Sequence, residues 1–67
     1  MRKRIVFFEL PDATQEQLES IRRGLERLVK EDNLPYVFVI SNKPFGALTR
    51  KERKSLLEEA VKRFDRP

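Results

Sequence analysis

Four cations, Lys43, Arg50, Arg53 and Lys54, gather in a stretch that reads as a turn followed by a helix. Converging ammonium and guanidinium groups hold phosphate or carboxylate, so the chemistry they could perform is anion binding. Helix geometry supports the convergence. At about 100° per residue, the apolar stripe of that helix centres between Leu57 and Ala60. Arg53 falls on the same line one turn earlier, and Arg50 and Lys54 flank it. These side chains therefore aim past the strand ends, toward the sheet side. A plainer role competes and is favoured: Arg53 lays its stem over Phe45 or Leu48 and carries its charge to water.

Other chemistry is poorly provided for. The chain has no Cys and no His, so serine or cysteine nucleophiles would lack their usual base and the common zinc sets are absent. The carboxylates fall mostly on outer helix faces, which leaves no acid–base pair to argue for. The single Gly46 after Lys43-Pro44-Phe45 makes a turn, with neither of the glycine-rich phosphate loops. Enzymatic activity is not expected, nor is a cofactor or a metal. A second candidate surface is apolar: Phe38 and Ile40 on a strand and Phe45 on the following turn could meet a protein partner.

The elements that must position these residues follow from periodicity. Apolar runs at 4–10 and 35–41 read as strands, both apolar on both faces. Thr14 with Gln17 and Thr49 with Glu52 form capping boxes, which open helices over 15–31 and 50–64. Leu18, Ile21, Leu25, Leu28 and Val29 make the first helical stripe; Leu56, Leu57, Ala60, Val61 and Phe64 make the second. Glu19–Arg23, Glu26–Lys30 and Glu59–Arg63 are spaced as surface pairs. Gly24, beside the first stripe, suggests a close approach of helix to sheet.

This order predicts one small α/β domain over 1–67: strand, helix, strand, helix, with parallel strands and a right-handed crossover. Both strand C-termini and both helix N-termini then share one rim, with Asp12, Thr14, Ser41, Asn42, Lys43 and Thr49, where open α/β sheets bind ligands. Two strands are few for a stable sheet, and both edges would stay open. Pairing with a second copy into four strands is the economical remedy.

The balance of 15 basic against 11 acidic residues gives a net charge of +4. That permits attraction to nucleic acid or acidic proteins without demanding either. The apolar run after the basic N-terminus is too short for a leader or a membrane span, so a cytoplasmic location is expected and a membrane partner is not. The leading expectation is a non-catalytic module that binds a larger protein, or itself, through an apolar sheet edge and the Phe45 turn. The alternative is a nucleic-acid-binding accessory using Lys43, Arg50, Arg53 and Lys54. Against it, Arg2-Lys3-Arg4 would sit at the opposite rim. A third reading is a designed or orphan domain without evolved function.

Overall fold

The computed structural model describes residues 3–65, so Arg2 of the basic triplet and the Arg66-Pro67 end lie outside it. The chain forms strand β1 (Arg4–Glu9), helix α1 (Gln15–Asp32), strand β2 (Tyr36–Ser41), a 3₁₀ turn (Phe45–Ala47) and helix α2 (Arg50–Phe64). It is a small α/β fold with two parallel strands and two helices. No helix among the described residues is long and apolar enough to cross a membrane.

Both helices begin as the capping boxes require. Thr14 Oγ1 accepts from Gln17 N at 3.1 Å while Gln17 Oε1 accepts from Thr14 N at 2.9 Å. Thr49 and Glu52 repeat the arrangement at 3.1 and 2.9 Å. At the other end of α1, Asn33 takes the left-handed conformation (φ 52°, ψ 48°). Its N–H and that of Leu34 both donate to Val29 O. Asn tolerates this geometry better than most residues, which is why the helix stops there.

The strands pair in parallel from Arg4 opposite Tyr36 to Glu9 opposite Ser41. Arg4 N donates to Pro35 O and Leu10 N to Ser41 O, both at 2.8 Å. Backbone polar groups alternate sides along a strand, so these two bonds fix the parity of the whole ladder. Even residues of β1 and odd residues of β2 turn their N–H and C=O groups toward each other. Ile5, Phe7 and Glu9 turn theirs outward, as do Tyr36, Phe38 and Ile40 on the far side of β2.

The two strands are not equivalent, although their sequences are equally apolar. Val37, Val39, Phe38 and Ile40 form the core with Leu18, Val29, Ala60 and Phe64. In β1, by contrast, Ile5, Phe7 and Phe8 are 44%, 57% and 40% exposed. The position of α2 accounts for the difference. Leu56 lines one groove with Val39 and a separate small cavity with Phe38 and Ile40. Those β2 residues point to opposite faces, so α2 runs along the outer edge of β2 and reaches both. Arg22 of α1 closes the same edge by donating to Ile40 O at 3.2 Å. Among the described residues α2 therefore covers the outer edge of β2, while the outer edge of β1 is left uncovered.

An ion network bridges the two helices. Arg63 on α2 lies 3.1 Å from Glu19 and 3.5 Å from Glu26, both on α1. The expected pairing of Arg63 with Glu59 is replaced by this bridge. Glu19–Arg23 and Glu26–Lys30 do form, at 3.3 and 3.8 Å. Gly24 has no close neighbour, since a Cβ built there would meet nothing within 4 Å. Helix–sheet proximity is thus not its reason.

Candidate interaction surface

The 3₁₀ turn after β2 is held against β1 at two points. Phe45 N donates to Glu9 Oε2 at 2.9 Å. The Phe45 ring meets the Phe7 ring edge-on, with centroids 4.8 Å apart at 78°. Glu9 and Phe7 share a face of β1 by strand alternation, so turn and strand build one wall together.

Beneath this wall lies an open groove of about 650 Å³. Phe7, Val39, Phe45, Leu56 and Leu57 make its apolar lining. Arg50, Arg53 and Lys54 line it as well, Arg53 and Lys54 about one helical turn before Leu56 and Leu57 and Arg50 about two. None of the three forms an ion pair among the described residues. Lys43 does not join them. Its Nζ lies 3.3 Å from Glu52 Oε2, on the capping residue of α2. Three of the four candidate cations therefore share one site, and the fourth is already neutralised.

The rim at the strand C-termini is also occupied from within. At both helix N-termini the capping box engages the N-cap and N3 N–H groups. Ser41 Oγ exchanges hydrogen bonds with the Lys43 backbone at 3.0 Å, and Asn42 Nδ2 donates to Ala13 O at 3.1 Å. Part of the donor set that an anion would use at this rim is therefore engaged already. Among the described residues, no three carboxylates are placed to hold a metal ion.

The apolar candidates separate in the same way. Phe38 and Ile40 are 9% and 2% exposed, so they serve the core and offer a partner nothing. Phe38 packs edge-on to Phe64 and stacks on Phe8, at 5.5 and 5.7 Å between centroids. Phe45 stays half-buried beside the groove. The free apolar surface lies instead on β1, at Ile5, Phe7 and Phe8, and continues onto α2 at Leu57 and Val61. Composition could not distinguish the two strands. One signal was present: α1 must carry the chain across to a parallel β2, whereas among the described residues α2 leads to no further strand and is free to lie along β2.

Comparison of the chain with protein-family models, with curated proteins and with solved structures returned no match.

Proposed function

We propose that this protein is a non-catalytic interaction module that takes up an additional strand at the outer edge of β1. The observation that carries this reading is the parity of that strand. Ile5, Phe7 and Glu9 direct their backbone donors and acceptors outward, where they make no hydrogen bond among the described residues. Apolar side chains flank the edge on both faces, Ile5 and Phe7 on one and Phe8 on the other. Soluble proteins usually blunt such an edge with charge, proline or a covering loop. An incoming strand would satisfy the ladder and cover the apolar rows, as in β-strand addition. A second copy supplies such a strand directly, and antiparallel pairing of two β1 strands would complete a four-stranded sheet. A strand of a larger protein would meet the same edge, with the Phe45 turn as its neighbour.

Light scattering at micromolar concentration tests the proposal. The native chain should form at least a dimer, or form a complex with the partner strand while Phe7→Lys does not. Because Phe7 is mostly exposed, that substitution should leave the fold intact. A monomer whose β1 edge amides exchange as freely as those of a short peptide and pair with nothing would refute it.

Nucleic acid is the second reading, and Arg50, Arg53 and Lys54, which form no ion pair among the described residues, favour it. Binding would weaken steeply with salt, and loss of each phosphate contact would lower the log–log slope by about one. Titration with single- and double-stranded DNA and RNA at two salt concentrations decides it.

A further inference from the structure

The groove between β1 and the start of α2 has a chemistry separate from the strand edge. Its floor is apolar, made by Phe7, Val39, Phe45, Leu56 and Leu57, and its volume of about 650 Å³ is that of a small-ligand cleft. Three cations with no acidic partner among the described residues stand at one end of it. α2 runs antiparallel to the strands. Arg50 and Arg53 lie beside Phe7 and Val39, and Lys3 Nζ at the start of β1 donates to Phe64 O at 2.6 Å. The apolar surface therefore extends away from the cations, along Leu57 and Val61 on α2 and along Ile5 on β1, both partly exposed. Charge sits at one end and a hydrocarbon path leads off from it.

The backbone around the groove narrows the occupant further. Strand N–H and C=O groups lie in the plane of the sheet, and along Leu56 and Leu57 those of α2 are used within the helix. Nothing on the floor can pair with the backbone of an extended peptide, whose burial there would leave donors and acceptors unsatisfied. An alkyl chain makes no such demand. From this we infer that the groove binds a monomeric long-chain carboxylate. Its chain lies over Phe7 and Leu57, and its head group is held by Arg50, Arg53 and Lys54.

Calorimetric titration of the full chain with octanoate, decanoate and dodecanoate, below their micellar concentrations, tests the assignment. One site is expected, with affinity rising about tenfold for each two methylenes added. Acetate, and the uncharged methyl ester of decanoate, should each bind at least tenfold more weakly than decanoate. The double variant Arg53→Glu/Lys54→Glu alters exposed side chains and should keep the native circular dichroism. It should lose at least tenfold toward decanoate and nothing toward the ester. Equal binding of ester and acid, or no dependence on chain length, would overturn the assignment in the native protein alone. Binding to anionic phosphatidylglycerol vesicles without binding the monomeric acids would overturn it in favour of a membrane surface. Displacement of decanoate by a short single-stranded oligonucleotide would do so in favour of nucleic acid.

Discussion

The Phe45 ring stands edge-on to the Phe7 ring at 4.8 Å, joining the turn after β2 to the exposed strand β1. It ties the least covered strand to the wall of the groove. Edge-to-face pairs contribute about 0.5–1.5 kcal/mol beyond area burial. A double-mutant cycle with Phe7→Leu and Phe45→Leu, read by urea denaturation, should return a coupling in that range. Independent, additive effects would mean the two rings do not support one another.

Burial ranks the apolar positions, and truncation should follow the rank. Ile40→Ala and Leu18→Ala remove fully buried side chains and should each cost about 2–5 kcal/mol. Leu57 is 36% exposed beside the open groove, and Leu57→Ala should cost less than half as much as either. Val39→Lys would place an unpaired charge in the core and should unfold a large fraction of the chain. Chemical denaturation of the set measures this directly.

Gly24 occupies an exposed position in the interior of α1 with open space around its Cα. Gly24→Ala should stabilise the protein by up to about 1 kcal/mol, since alanine loses less backbone entropy and meets no obstacle. A lower melting temperature in the variant would overturn this reading of the position.

Acid should weaken the fold through two carboxylates. The Thr49 backbone N–H, helped by Lys43, lowers the Glu52 pKa; a hydrogen bond from Arg63, with the nearby Arg63 and Arg23 charges, lowers that of Glu19. A depressed folded value means that the stabilisation is fully present above the unfolded Glu value of about 4.3. It is lost as pH falls through the lower, folded value. Thermal melts from pH 6 to 2 should therefore show stability falling mainly below the ordinary Glu range. Glu52→Gln should flatten part of that fall.

Arg63 should matter more than its place among surface charges suggests. It faces two α1 carboxylates, and Arg63→Ala should cost about 1 kcal/mol, at the upper end for partly exposed pairs. Arg27→Ala, on the exposed side of α1, should stay within about 0.5 kcal/mol of the native chain. Equal effects at the two sites would remove the bridge from the account of stability.

Legibility in the sequence tracked the range of the interactions. The capping pairs Thr14–Gln17 and Thr49–Glu52 act over three residues, and the helix starts could be read from them directly. Asn33 ends α1 one residue beyond the expected boundary because its left-handed conformation is equally local. The asymmetry of the strands was not readable. Tyr36 to Ile40 and Ile5 to Phe8 look alike, and only the path of α2 along β2 buries one and leaves the other open. For that reason sequence alone places Phe38 and Ile40 at an interface although both are buried, and Ile21, Leu28, Leu57 and Val61 extend their stripes beyond what two strands can cover. Lys43 was grouped with Arg50, Arg53 and Lys54 by proximity in sequence, while its choice of Glu52 depends on how the turn folds. Arg63 was assigned to its own helix because the α1 partners lie far away along the chain.

Each rung of the parallel ladder joins residues 32 positions apart, from Arg4 with Tyr36 to Glu9 with Ser41. No short hairpin can seed such a sheet, so its formation waits on the closure of a long loop. α1 shortens that search by folding locally within the loop, which makes an α1–β2–α2 assembly the natural nucleus. β1, none of whose residues is fully buried, should then dock late onto a structure that already holds most of its core. The same order reversed describes fluctuations of the finished protein: β1 should detach first, with α1, β2 and α2 still packed. The strand whose edge is open to a partner is thus also the one that can be exchanged for a partner's strand.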